Sequence, residues 1–291
     1  MPGYFERAAT LLPPALRKGA LALPEAQRAE GEELRLRIGH PPALRLPEGE
    51  RPFAPEPVTP ESLTAVLEAA TRASLHAVGA QLRRGFVSAP GGVRVGVCGT
   101  AVTEEDGGLR GIRGVSSLCL RVARPVPGAG REILPQLEGK SVLIVSPPGG
   151  GKTTFLRELV RVQSDGGARI ALADERGELA ALGTDGVPGF DVGRCTDVLS
   201  GAPKAQAAGM LLRGMGPEAV AMDELADEGD AAAVAALLGC GVRVLATAHA
   251  VDRAALERRA ALRALLERRA FDCLVCIRGA GSRRVYEVEA L

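Results

Sequence analysis

Aromatic residues are scarce: tryptophan is absent, and two tyrosines and six phenylalanines make up 3% of the 291 residues. Proteins that hold single-stranded nucleic acid without sequence preference stack bases on aromatic rings, so this composition argues against such a platform. An excess of charge of one sign is also missing. Lys and Arg number 36 against 35 Asp and Glu, which leaves no general attraction for nucleic acid or anionic lipid. The six cysteines, at 98, 119, 195, 240, 273 and 276, lack the spacing of a disulfide framework and sit in apolar segments, as in a reducing cytosol. Nowhere do about 18 apolar residues run consecutively, so no spanning helix is expected. Pro13, Pro14, Arg17 and Lys18 interrupt the N-terminal segment before a signal-peptide core can form. Internal repeats and low-complexity tracts are lacking as well. These absences leave a cytoplasmic, folded protein that can still dock on a membrane-embedded partner.

Enough apolar residues are present, 46%, to fill more than one core, and the pattern changes near residue 130. ELRLRIG (33–39) alternates as a strand and leads into a proline-rich loop. The stretch 59–85 predicts one helix, with Thr59 and Ser62 as caps and Gly85 as its stop. FVSA, VRVGVCGTAV and SLCLRVAR follow, separated by Pro90-Gly91-Gly92 and Asp106-Gly107-Gly108, which predicts an antiparallel α+β segment. ARPVPGAG (123–130) reads as a linker. After it, SVLIVS, ARIALAD, AVAMDE and VRVLATAH are short apolar runs separated by helical patterns, as buried parallel strands with crossover helices are. The division predicted is therefore an N-terminal α+β domain for assembly and docking, 1–130, and a P-loop ATPase domain, 131–291. Within the latter, Cys273 and Cys276 form a lone C-x-x-C. In a strand their side chains face opposite ways, so they read as core cysteines.

SPPGGGKTT (146–154) lies between the strand VLIVS and the helix TTFLRELVRV, and approximates the phosphate loop G-x-x-x-x-G-K-[ST] with Ser146 at the first glycine. Successive N–H groups of Gly149, Gly150 and Gly151 can converge on phosphate oxygens at the helix N-terminus. Lys152 would reach the β- and γ-phosphates of ATP, and the Thr153 hydroxyl would bind Mg2+. Ser146 is tolerable if its φ stays negative, and Pro147 and Pro148 stiffen the same turn. Thr154 completes the binding stretch. In AVAMDE, Asp223 would join the magnesium shell and Glu224 would polarise the attacking water. VLATAH ends in Thr247 and His249, which either sense the γ-phosphate and position water or are a strand filler and a surface residue. Asp174, Glu175 and Arg176 either line the same crevice or form a solvated turn. Arg194 and Arg213 are, by position, candidates to complete a neighbouring subunit's site. His40, in a loop, and His76, in a helix, read as structural. DRAALERRAALRALLERRAF (252–271) predicts one basic amphipathic helix with Leu256, Leu262, Leu265 and Leu266 as its stripe.

Taken in order, LRLRIG, LRRGFVSAPGGVRVGVCGTAV, GIRGVSSLCLRVAR, SPPGGGKTT, DERGELA, DVLSGAPKAQAAGMLLRGMGPEAVAMDE and TAHA resemble the stage III sporulation protein AA family over residues 33–288. The ATPase segment also resembles the secretion and pilus motor ATPases, which pair an N-terminal α+β domain with a RecA/AAA-like core. The resemblance implies an α/β RecA/AAA-like P-loop NTPase fold and a homo-oligomer, a hexameric ring. It implies docking on membrane-embedded sporulation channel proteins, from the mother-cell cytoplasm. It also implies that Lys152, Thr153, Asp223 and Glu224 take the roles derived above, and that Asp174–Ala180 and Thr247–Ala250 match motifs of the family. Two positions depart from it: Cys195 stands where the family has an arginine, with Arg194 just upstream, and Asp227 replaces an arginine after the acidic pair. The alternatives are a nucleic-acid-dependent ATPase on the same core, and a nucleotide-gated scaffold with little turnover.

Overall fold

The computed structural model describes residues 3–71, 79–83, 85–104, 108–122, 126–279 and 283–291. His76, the middle of the helix expected at 59–85, Asp106 and Gly107 of the second expected turn, and 123–125 of the expected linker lie outside them. Contacts divide the chain into two units: Met1–Arg124 with Ala181–Gly189, and Pro125–Ala180 with Phe190–Leu291. A single cut at residue 130 has no room for the segment Ala181–Gly189, which belongs with the first unit although it lies deep in the second half of the sequence.

The first unit opens with three short helices that the sequence did not announce, α1 (Tyr4–Thr10), α2 (Pro14–Leu21) and α3 (Glu25–Glu30). Pro14 starts α2, where a missing N–H costs nothing. Strands β1 (Glu33–Arg37), β2 (Ala43–Leu46) and β3 (Gly49–Pro52) precede helices α4 (Pro60–Thr71) and α5 (Gly79–Arg83); β4 (Phe86–Ser88), β5 (Arg94–Thr103) and β6 (Leu109–Arg121) follow. The sheet order is β3-β2-β1-β6-β5-β4, and every neighbouring pair is antiparallel. Alternation sends Leu34, Leu36, Leu118 and Leu120 inward against Phe5, Leu16, Leu63 and Val66. Thr59 caps α4 by accepting the Ser62 N–H at 3.2 Å.

The second unit is built on β7 (Val142–Ser146), α6 (Lys152–Asp165), β8 (Ile170–Asp174), β9 (Thr196–Ser200), α7 (Lys204–Met215), β10 (Ala219–Met222), α8 (Glu228–Gly239) and β11 (Arg243–His249). Helices α9 (Arg253–Glu257) and α10 (Ala260–Glu267) and strands β12 (Cys273–Arg278) and β13 (Val285–Ala290) complete it. The sheet order is β13-β12-β7-β11-β10-β8-β9; only the β12–β13 pair is antiparallel. Both faces are covered. Val142 and Ile144 pack with Phe155, Leu156 and Leu159 of α6, whereas Leu143 and Val145 pack with residues of α7, α8 and α10. Cys273 belongs to the first of these layers and Cys276 to the second, as their spacing predicts. The single helix expected over 252–271 is instead two. Arg259 leaves helical geometry at φ −99°, ψ 114° to begin α10, and the stripe Leu256, Leu262 and Leu265 is buried across the break.

Candidate active site

Parallel strands carry their C-terminal ends to one edge of the sheet, so β7, β10 and β11 deliver Ser146, the Asp223–Glu224 pair and Thr247–His249 side by side. The register pairs Ser146 with His249 directly. Ser146 is fully buried and its φ is not positive, the condition under which serine replaces the first glycine. Pro147 and Pro148 turn the chain outward. Gly149 and Gly151 then adopt φ of 74° and 100°, values that a side chain disfavours. A Cβ on Gly150 would lie 2.2 Å from Ser146 Oγ. The loop thus needs all three glycines, and Lys152, Thr153 and Thr154 open α6 behind it.

Lys152 is 5% exposed. Its Nζ donates to Ser146 O at 3.0 Å and Pro147 O at 3.3 Å, and meets His249 Nδ1 at 3.0 Å. Burial lowers its pKa, opposed by the carboxylates of Asp223 and Glu224. Thr153 Oγ1 donates to Asp223 Oδ2 at 2.8 Å. Thr247 Oγ1 donates to Asp223 Oδ1 and accepts the Glu224 N–H at 2.8 Å. His249 Nε2 contacts Glu224 Oε1, and Arg176 pairs with Glu224 Oε2. A neutral imidazole protonated on Nε2 satisfies both sides: it donates to Glu224 and accepts from the Lys152 ammonium. Burial works to raise the Glu224 pKa, but His249, Arg176 and Lys152 outweigh it and hold the carboxyl below its ordinary value.

Thr247 and His249, for which the sequence leaves two readings open, both touch the acidic pair, Thr247 through the Asp223 carboxylate and the Glu224 N–H, His249 through the Glu224 carboxylate. The 174–176 stretch divides by residue. Arg176 enters the crevice. Glu175 instead pairs with Lys204 Nζ at 3.0 Å. Asp174 is buried and accepts the N–H groups of Glu178, Leu179 and Ala180, at 2.9, 3.1 and 2.9 Å; burial raises its pKa against those bonds. Arg194 and Arg213 do not reach the phosphate loop of their own chain. Arg194 precedes β9, whose Thr196 pairs with Ile170 at the start of β8, and Arg213 lies in the last turn of α7, before β10. Both therefore stand at the opposite sheet edge, roughly 15 Å away at the rise of a five-residue strand. Asp227, the departure from the family pattern, caps α8 by accepting the Asp230 N–H at 2.9 Å.

Two arginines at the site carried no signal in the sequence. Arg259 donates to Ala226 O at 2.9 Å and His249 O at 3.3 Å, tying together the turns that follow β10 and β11. Arg284 Nε donates to Gly150 O at 3.0 Å.

The donor set suits a nucleotide polyphosphate with a hard divalent cation. Positive-φ glycines flank the loop's backbone amides, Lys152 supplies a buried positive charge, and Thr153 with Asp223 offers oxygen ligands that already converge. Among the described residues no group of three or more His, Cys, Asp or Glu side chains forms a metal cage. A cation held by Thr153 and Asp223 would draw its remaining ligands from phosphate and water, the habit of Mg2+.

Known proteins resemble this chain in sequence and in fold. A family model described as "Sporulation stage III, protein AA" matches residues 6–287. The Stage III sporulation protein AA of Bacillus subtilis (strain 168) is 35% identical over 272 residues, covering 91% of this chain and 88% of that protein. Among solved structures, the pilus retraction motor PilT with bound ADP matches at TM-score 0.64 and 17% identity, covering 92% of this chain and 80% of that one. The ATPase DotB of Legionella pneumophila matches at TM-score 0.57 and 18% identity, covering 91% and 79%. The fold shared with that pilus motor and that ATPase is accordingly the α/β RecA/AAA-like P-loop core, here with an N-terminal α+β unit. The model match across nearly the whole chain and the identity to the Bacillus protein make this chain a member of the sporulation stage III protein AA family.

Proposed function

We propose that this chain is a Mg-ATP hydrolysing ring ATPase that energises or helps assemble a membrane-spanning sporulation channel between mother cell and forespore. The observation that carries the proposal is the convergence of Lys152 and Thr153, from the start of α6, with Asp223 and Glu224, from just past the end of β10, at the C-terminal edge of one sheet. In this reading the amides of Gly149–Gly151 hold the α- and β-phosphates, and Lys152 reaches the β- and γ-phosphates. Thr153 and Asp223 hold Mg2+, which when bound neutralises charge developing on the phosphoryl oxygens. Glu224 accepts a proton from the attacking water, oriented by His249 and Arg176, while Thr247 fixes the turn that presents it. Pro147, Pro148 and Thr154 shape the surrounding crevice, and Glu175, expected there, is held by Lys204 instead. Arg194 and Arg213, remote from their own loop, are available to the ATP of an adjacent subunit in a homo-oligomer, expected to be hexameric.

In this reading the N-terminal domain, expected at 1–130 and joined by Ala181–Gly189, serves assembly and docking, and the remainder of 131–291 forms the ATPase domain. Among the described residues no helix is long and apolar enough to cross a membrane. A peripheral position on membrane-embedded channel proteins, on the cytoplasmic mother-cell side, fits that finding.

The test is ATP turnover by the native chain, Lys152→Ala and Glu224→Gln over a range of protein concentrations. Specific activity is expected to rise with concentration, as catalysis between subunits requires, and both variants are expected to lose it. Glu224→Gln should still bind ATP. Phosphate release unchanged in Glu224→Gln would refute the assignment of the base. Stimulation by DNA that weakens as salt rises would favour a nucleic-acid-dependent ATPase instead.

A further inference from the structure

We propose that Arg284 is a nucleotide-contacting residue, supplied in cis, that grips the α- and β-phosphates of the bound nucleotide. This rests on the nucleotide reading above and extends it to a residue outside every phosphate-loop motif.

Arg284 immediately precedes β13, whose first residue pairs with Arg278 at the end of β12. Because β12 runs parallel to β7, the end of this hairpin arrives at the sheet edge from which the phosphate loop departs. The side chain then lies over the loop. Nε donates to Gly150 O at 3.0 Å, and a Cβ added to Gly151 would stand 2.9 Å from Nε and 3.1 Å from Cζ. The guanidinium is therefore in contact with the Gly150–Gly151 backbone, whose amides cradle α- and β-phosphates in loops of this kind.

Charge decides what this contact is for. Other arginines nearby are neutralised: Arg278 by Glu287 at 2.8 Å, Arg176 by Glu224. Arg284 is half-buried, and among the described residues no carboxylate pairs with it within ion-pair distance. It shares the loop with the Lys152 ammonium and the positive end of α6. Like charges gathered around one loop repel, and a polyphosphate is the anion that balances them. The guanidinium has five N–H donors in a planar fork, of which Gly150 takes one; the rest suit phosphate oxygens. Beside the loop, Pro147, Pro148, Val251 and Ile277 line a cleft of about 360 Å³, within the size range of small-molecule sites. A phosphate chain running from Lys152 toward that cleft passes Arg284 at its α/β end.

The test is equilibrium binding of ATP and of ADP to the native full-length chain, Arg284→Gln, Arg284→Lys and Lys152→Ala. Arg284→Gln is expected to weaken ATP and ADP by the same factor, roughly tenfold or more, the size of a charge-assisted hydrogen bond. Arg284→Lys should recover much of the affinity because it keeps the charge. A glutamine amide can still donate to Gly150 O, so native affinity in Arg284→Gln would reduce Arg284 to a brace for the loop and overturn the proposal. A loss confined to ATP would move the contact to the γ-phosphate and overturn it equally. If the native chain binds neither nucleotide, the underlying nucleotide reading fails. If it binds both and Arg284→Gln changes nothing, only the present inference does.

Discussion

Glu224 is held at φ 56°, in the left-handed region where a side chain costs of order 1–3 kcal/mol and which clusters at functional sites. What keeps it there is Thr247. This side chain is fully buried, and its hydroxyl accepts the Glu224 N–H while donating to Asp223; its carbonyl accepts the Leu225 N–H at 2.7 Å. Thr247→Val keeps the shape and removes the hydroxyl, leaving the Glu224 N–H without an acceptor. Stability measured by denaturant unfolding is expected to fall by about 1–3 kcal/mol, and ATP turnover with it, whereas Thr247→Ser should retain most of both. The acid limb of stability follows from Glu224 itself. Its folded-state pKa lies below the ordinary 4.5, with His249 the largest lowering influence. A carboxylate lowered in the folded state contributes stability that is present in full above 4.5 and drains away as pH falls through the folded value. His249→Ala should shrink that contribution, so urea stability followed between about pH 3 and 6 is expected to depend less steeply on pH in the variant.

At the scale of elements, Asp227 shows why a departure from a family pattern need not be a defect. It sits at the N-cap of α8 and accepts the Asp230 N–H, while Asp230 accepts the Ala226 N–H at 2.8 Å. The turn after the acidic pair is thus fastened to the helix that follows. Asp227→Ala is expected to cost about 1 kcal/mol by thermal or denaturant unfolding, Asp227→Asn much less, and Asp227→Arg at least as much as alanine. Strands β7, β8, β10 and β11 were legible in the sequence because burial on both faces of a parallel sheet demands continuous apolar runs, and each ends in the polar residues that the crevice uses. Edge strand β9, TDVLS, lacked that run. The break at Arg259 was hidden because the leucine stripe continues across it; the Arg259 side chain reaches Ala226 O and His249 O, partners that lie 33 and 10 residues away in sequence. Arg259 and Arg284 illustrate the remaining limit. Which remote arginine meets which loop is set by sheet order and hairpin pairing, and local periodicity carries no record of either.

Across the whole molecule, the chain leaves the second unit after Ala180 and re-enters it at Phe190, and the intervening Ala181–Gly189 belongs to the first unit. Backbone carries this segment. Gly183 N–H donates to Val187 O at 3.0 Å, Leu182 bridges Pro188, and Arg7 donates to Gly189 O at 2.7 Å. The segment lies so close to the Pro90–Gly92 turn that a Cβ on Gly92 would stand 2.4 Å from Ala181 O, and one on Gly189 2.6 Å from Gly92 Cα. Both contacts are to backbone, which cannot rotate away as a flexible side chain can. Gly189→Ala is therefore expected to destabilise the first unit by about 1–3 kcal/mol, the range for forced overpacking, and to open 181–189 to limited proteolysis. The residues proposed for the nucleotide site all lie in the second unit, so ATP binding measured before cleavage should persist in Gly189→Ala. Resistance to proteolysis equal to that of the native chain would show that the segment yields without cost. The two glycines would then be incidental to its seat on the first unit.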